Sequence, residues 1–244
     1  MDLLETVLAA HRAYLLGWNI GTTGGDDLVT YRSGVRHAPL NGVLRASGRP
    51  PQDALAEARV RLDGVPRIWW AGPDSDAGLA DSLVPLGAVP LASLPIMTAE
   101  TGSVVPVATP AGLRIAETTD LAEFVAAYGR VSGIPADATA TAIAREQAFA
   151  GDGTVIRLAG RFDDGPIAGT AVAWLSHGVL TLYFVGTQPE HRRRGVGAAM
   201  TAAAVDLARR HGISTVALTS SEAGKALYDR LGFRTVGVFQ LLSF

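Results

Sequence analysis

The stretch "PEHRRRGVGAAM", residues 189 to 200, reads as the start of a helix built against the usual rules. Arg192, Arg193 and Arg194 stand where the helix macrodipole is already positive, a place that disfavours cations. Gly195 and Gly197 follow within what would be the first turn, and each weakens a helix relative to alanine. Upstream, "LTLYFV", residues 180 to 185, is strongly β-prone, and Pro189 cannot donate to a sheet ladder, so the strand ends before it. Downstream, Val196, Met200, Ala203 and Leu207 recur at intervals of three and four and form one helix face. Arg209, Arg210 and His211 occupy the last turn and Gly212 follows, which is ordinary C-terminal chemistry. Only the near end is anomalous.

A helix start leaves several backbone N–H groups without partners, and no Ser, Thr, Asn or Asp is placed here to cap them. An anion would satisfy those donors, complement the dipole and compensate the arginines. The glycines would let the backbone approach it closely and adopt positive φ where needed. The residues thus point to a phosphate or pyrophosphate site at a strand-to-helix turn; a solvated arginine cluster on an ordinary turn is the competing reading. A P-loop is excluded because no Lys-Ser or Lys-Thr pair follows the glycines. A dinucleotide fingerprint fits poorly, since the third glycine is missing and the preceding strands form a hairpin.

Working outward, residues 112 to 244 read as strand, two helices, three strands, helix, strand, helix and a final one or two strands, antiparallel at first and α/β afterwards. Residues 101 to 112, "TGSVVPVATPAG", carry no charge and two prolines and read as the end of a first block and a linker. The first block opens with an amphipathic helix over 3 to 16, bearing Leu4, Val7, Leu8 and Leu15. A loop over 21 to 27 follows, then short strands at "LVTYRSG" and "NGVLRAS", and a helix entered at Pro51. "PRIWWAGP" is a buried strand. "DSDAGLADSLVPLG" is a helix whose first turn Asp74 and Asp76 would cap, and "LASLPIMTA" closes the block. The expected organisation is a domain over 1–104, a linker over 105–111 and a domain over 112–244. No internal repeat of fixed period is visible.

The 244 residues suffice for a substantial core, and hydrophobic residues make up 48%. Charged residues are 18%, against a usual ~25%. The net charge of −2 gives no global signal for nucleic acid or an anionic membrane. The absence of cysteine excludes a disulfide scaffold, a thiolate zinc site and a cysteine nucleophile. The N-terminal segment has Asp2 and Glu5 and no basic leader, and no apolar run approaches the ~20 residues of a membrane span. The expectation is a soluble, cytoplasmic protein.

"VGTQPEHRRRGVGAAM", with Arg192-x-x-Gly195-x-Gly197, resembles the acyl-coenzyme A motif of the GNAT superfamily of N-acetyltransferases. "SSEAGKALYDRLGF", residues 220 to 233, resembles that family's second signature, a helix carrying a tyrosine and ending in Leu-Gly-Phe. The resemblance covers roughly residues 112 to 240. More weakly, the first block resembles the degenerate N-terminal half of two-domain, tandem GNAT proteins.

The resemblance implies a fold of the α/β (α+β) class: a GNAT-type mixed central sheet flanked by helices, with a smaller N-terminal α/β domain. It implies acetyl-CoA as co-substrate, no metal, and an amine-bearing acceptor, small molecule or protein. It implies that the backbone of Arg193, Arg194, Gly195, Val196, Gly197 and Ala198, with Arg192 beside it, holds a pyrophosphate. Val185, Gly186 and Thr187 would pair with the pantetheine arm as an added strand does. Tyr228 would protonate the leaving thiolate, and Ser220 and Ser221 would contact the cofactor arm. Without the resemblance, Tyr228 reads as a core aromatic beside Leu227 and Leu231.

Many family members carry a glutamate base on the central strand, and "LTLYFV" has none. No base is assigned; Tyr183, Glu117 and His177 are candidates by location. Trp18, Trp69 and Trp70 are candidates for an acceptor cleft, with one of the adjacent pair facing the core. A non-catalytic acyl-CoA-binding protein is the alternative function. The net charge and the lack of an apolar span argue against nucleic acid and membrane as partners, and a homodimer is compatible with the sequence.

Overall fold

The computed structural model describes every residue except Met1 and Thr22. The chain begins with helix α1 (Leu3–Leu16), strands β1 (Leu28–Arg32) and β2 (Asn41–Ala46), α2 (Pro51–Arg61), β3 (Ile68–Ala71), α3 (Leu79–Leu83) and β4 (Val89–Glu100). A 3₁₀ turn and an extended segment then lead to β5 (Leu113–Glu117), α4 (Leu121–Ser132), α5 (Thr139–Gln147), β6 (Thr154–Phe162), β7 (Ile167–Ser176) and β8 (Val179–Thr187). The chain ends with α6 (Val196–Arg210), β9 (Thr215–Thr219), α7 (Glu222–Arg230) and β10 (Arg234–Ser243). The element types and order agree with the sequence reading. The loop read over residues 21 to 27 includes Thr22 and so lies partly outside the described residues.

All ten strands form one sheet in the order β1-β2-β3-β10-β4-β9-β8-β7-β6-β5. The connection β2-α2-β3-α3-β4 recurs as β8-α6-β9-α7-β10. In each, the first two strands are parallel. In each, the third strand crosses into the other half. β4 pairs with β9 from Ile96–Thr219 to Glu100–Thr215, and β10 pairs with β3 from Gln240–Ala71 to Leu242–Trp69. β4 and β10 also pair with each other along most of their length. The structure therefore holds a repeat that the sequence does not display, because the shared feature is connectivity rather than residue identity. The reciprocal crossing ties the N-terminal and C-terminal strands into one sheet.

Helices cover both faces. α1, α4 and α5 bury Val7, Tyr14, Phe124, Tyr128 and Ala142 against one side. α6 and α7 bury Val196, Met200, Leu207 and Tyr228 against the other. Each fully buried Leu- or Phe-sized side chain contributes on the order of 1.5–3 kcal/mol. The buried stripe of α1, Val7, His11 and Tyr14, continues at the same spacing into Trp18 just past the helix end, four, three and four apart, so a histidine sits among the buried aromatics.

The segment 74–87 departs from the expected helix. α3 spans five residues, and its N-cap is Gly78 at φ +73°, with no side-chain cap. Asp74 instead pairs with Arg12. Asp76 accepts from the Ser47 hydroxyl at 3.0 Å and from the Gly48 N–H at 2.8 Å. Non-local partners outcompete the local cap because they satisfy donors on the neighbouring turn. Nor does the chain place all three tryptophans together. Trp69 is fully buried against Phe244 on the far face, and Trp18 packs into the α1 core against Tyr14 and Phe149.

Candidate functional site

The turn between β8 and α6 has the backbone the sequence called for. Arg193 has φ +62° and Gly195 φ +80°. Such left-handed residues turn successive amides toward a common concavity, and glycine adopts this geometry without penalty. The Arg192 N–H bonds to the Pro189 carbonyl, and the next local bond runs from the Ala199 N–H to the Gly195 carbonyl. Among the described residues none accepts from the N–H groups of residues 193 to 198, and no side chain caps the helix. The positive end of a fifteen-residue helix is thus open to an anion.

The three arginines do not act alike. Arg194 lies over the Phe162 ring at 4.5 Å, and Arg192 donates from Nε to the Thr187 carbonyl at 3.3 Å. Arg193 has no ion-pair partner among the described residues. The corresponding turn of the N-terminal half, between β2 and α2, is filled by the Asp76 carboxylate, and Pro50 and Pro51 remove two donors there.

From this turn a wedge opens into the sheet. β8 and β9 pair in parallel through Leu180–Val216, Thr181–Ala217 and Leu182–Leu218, and no further. Beyond Leu182 a bulge interrupts the ladder with β7: Val172 faces Tyr183, but Thr170 faces Gly186. Phe184 takes φ +48°, and its carbonyl accepts from the Thr170 hydroxyl at 2.8 Å. The bulge bends β8 away, as such insertions do. β9 meanwhile follows β4, with the Ser220 N–H bonded to the Pro95 carbonyl.

A cavity of about 460 Å³ fills the opening. Val185, Thr187, Gly197, Ser220, Ser221 and Tyr228 line it. Gly186 does not; a Cβ there would press against Val131 at 3.0 Å. Ser221 caps α7 by accepting from the Gly224 N–H at 3.2 Å, and Ser220 donates to the Ser221 carbonyl at 2.8 Å. Tyr228 is 8% exposed; burial pushes its pKa up to about 12, with the Thr201 hydroxyl opposing. The phenol therefore stays protonated at neutral pH and is a proton donor rather than a base.

Of the proton-acceptor candidates, Tyr183 lines the cavity. Glu117 is exposed on β5, the outermost strand, and His177 sits in the β7–β8 turn, bonded to the Ser176 hydroxyl at 2.7 Å. Of the tryptophans, Trp70 reaches the cavity wall and donates to the Tyr31 hydroxyl at 2.9 Å. Sequence reasoning missed the contribution of α1 and the β1–β2 connection: His11, Tyr14 and His37 all line the cavity. The signal available was the four-three-four spacing that puts His11 and Tyr14 on the buried stripe of α1.

Residues 125–233 match the model of the acetyltransferase (GNAT) family. Among solved structures, the whole chain superposes on a GCN5-related N-acetyltransferase from Kribbella flavida at 24% identity, covering 96% of it, with a TM-score of 0.73. It also superposes on a tandem GNAT protein from the clavulanic acid biosynthesis pathway at 15% identity, covering 95% of it, with a TM-score of 0.61. A GNAT acetyltransferase structure from Novosphingobium aromaticivorans matches at 20% identity over 98% of this chain and 95% of that one, TM-score 0.57. Comparison with curated proteins finds no match. The fold is the mixed α/β GNAT fold, and the tandem neighbour accords with the repeated connectivity of the two halves. Among the described residues there is no group of three or more His, Cys, Asp or Glu side chains placed to hold a metal ion, and no helix is long and apolar enough to cross a membrane.

Proposed function

We propose that the protein is an acyl-CoA-dependent N-acyltransferase that moves an acetyl group from acetyl-CoA to an amine, with one acetyl-CoA bound per chain. The observation that carries this reading is a continuous path: unpartnered amides of residues 193 to 198, then the free edge of β8, then Tyr228, along one wedge. In this reading the amides and Arg193 hold the pyrophosphate, and Arg192 and Arg194 frame the turn. The backbone of Val185, Gly186 and Thr187 lies along the pantetheine arm, beside Ser220 and Ser221. Tyr228 donates to the sulfur as the carbon–sulfur bond breaks. A thiol has an ordinary pKa of ~8.5, and the burial that raises Tyr228 also raises a thiolate beside it, which narrows the gap between donor and acceptor.

The N-terminal half supports a single site per chain, because Asp76 supplies an internal anion to the corresponding turn. The lack of a carboxylate on the cavity wall favours a second reading, a binding protein without turnover. Calorimetric titration with acetyl-CoA, followed by thiol release in the presence of an amine panel, separates the two. The expected result is one equivalent bound per chain and turnover. Two equivalents would defeat the assignment to one turn, and binding without thiol release from any amine would leave the second reading.

A further inference from the structure

α1 brings two polar groups to the cavity that neither the anion-binding turn nor Tyr228 explains. His11 is 4% exposed; its Nδ1 lies 3.2 Å from the Tyr183 hydroxyl, and its Nε2 has no partner. One turn later the Tyr14 hydroxyl is also buried without a partner. Both residues line the cavity. A buried polar group left unsatisfied forfeits its hydration without recompense, so two of them on one wall mark where a polar group of a ligand belongs.

The remaining wall sets the chemistry of that ligand. Leu40, Trp70, Leu94, Tyr183, Phe184 and Leu241 are apolar or aromatic, and no lining residue is Asp or Glu. The buried carboxylate of this core, Glu146, is committed to Arg157 and to the Tyr128 hydroxyl. Taking an alkylammonium out of water costs more than a desolvated cation–π contact returns. Tyr14 and Tyr183 each spend one ring face on the other, stacked at 3.7 Å. The cavity therefore suits an acceptor that is already neutral at pH 7.

Resting on the acyltransferase reading above, we infer that the acceptor is a weakly basic amine carried on an aromatic ring, and that His11 Nε2 takes its proton while Tyr183 holds the imidazole in place. With Nδ1–H donating to the Tyr183 oxygen, Nε2 keeps a free lone pair. The amine nitrogen bonds to the thioester carbonyl carbon and the carbon–sulfur bond breaks. The sulfur takes the Tyr228 proton, and one amine proton passes to His11. The neutral amide leaves; His11 returns its proton to solvent and Tyr228 regains one. Burial, with Arg12 alongside, lowers the His11 pKa to about 3. So weak a base can deprotonate the acidic nitrogen of an attacking arylamine, but not an alkylammonium near ~10.4.

The test uses two isomers, 4-ethylaniline and 2-phenylethylamine, which share their atoms and differ in where the nitrogen sits. Calorimetry comes first: failure of the wild-type protein to bind acetyl-CoA overturns the acyltransferase reading itself. Given binding, kcat/KM at pH 7.5 is expected to be at least about tenfold higher for 4-ethylaniline. Equal or reversed preference, or no turnover with either isomer, overturns the inference while the binding reading stands. His11→Gln is expected to lower kcat about 100-fold with the Kd for acetyl-CoA unchanged within about twofold. Tyr183→Phe, which removes one hydroxyl and keeps the ring, is expected to lower kcat about tenfold with KM unchanged. Turnover by His11→Gln within about threefold of wild type overturns the role of His11.

Discussion

Gly197→Ala separates what the fold requires at the α6 turn from what a ligand requires. A Cβ at this position would sit 3.5 Å from Leu227 Cδ2 and 3.6 Å from Thr187 Oγ1, both ordinary van der Waals distances. The protein thus has room for the methyl group, and its backbone there is not left-handed; of the two glycines, Gly195 carries the positive φ. Alanine is a better helix former than glycine by about 0.8–1.0 kcal/mol in a helix interior, of which a first-turn position gains a part. At about 2–4 °C per kcal/mol for a chain of this size, the melting temperature should hold or rise by roughly 1–3 °C. The methyl group nevertheless projects between Thr187 and Leu227, into the wedge that the unpartnered amides open onto. A ligand seated against that backbone must move away from its donors. The expected result is an acetyl-CoA Kd at least about tenfold weaker, equivalent to about 1.4 kcal/mol, measured by calorimetry beside a thermal melt. An unchanged Kd in a protein of unchanged stability would show that no ligand approaches the turn closely. A melting temperature lowered by more than about 5 °C would show that the glycine serves the fold.

Three further outcomes are expected. Tyr228→Phe should lower turnover by about 10²–10⁴-fold with little change in the KM for acetyl-CoA, read by steady-state thiol release; a loss below about threefold, with chemistry rate-limiting, would return the tyrosine to the core beside Phe233. His11 has a folded pKa of about 3 against 6.5 when free, so the unfolded chain takes up the proton as pH falls through 6.5 and stability is lost there. At pH 5.5 the loss should be about 1.4 kcal/mol, and urea unfolding of His11→Gln at pH 7.5 and 5.5 should lack that increment. Glu146→Gln should cost about 3–5 kcal/mol in denaturant unfolding, because it leaves the Arg157 guanidinium, 16% exposed, without its counter-charge. A cost under about 1 kcal/mol would mean that solvent already screens the pair.

The turn between β8 and α6, with its left-handed residues and unpartnered amides, was legible because every part of it is contiguous in the chain. Strand, arginines, glycines and helix face all fall between Leu180 and Leu207, and backbone geometry there depends on neighbours a few residues away. The same locality revealed the C-terminal element order and the position of Tyr228 on α7.

What lay beyond the sequence depends on partners far apart in the chain. Asp76 reads as a local cap, yet it is drawn across to Ser47 and Gly48, whose amide and hydroxyl are better donors for a carboxylate than a glycine-led helix of five residues. The crossing of β4 and β10 follows from which sheet edges remain open once each half has folded, and edge pairing leaves no periodic mark in either strand. The wall of the cavity opposite the β8–α6 turn depends on it. His11 and Tyr183 are 172 residues apart, and they meet because α1 lies over the bulge that bends β8 away from β9. Sequence alone thus determined where a helix start is left with unpartnered backbone donors, since those donors and the glycines beside them are local. The tertiary structure decided what faces it across the wedge, since burial and hydrogen-bond partnership are set by the packing of both halves.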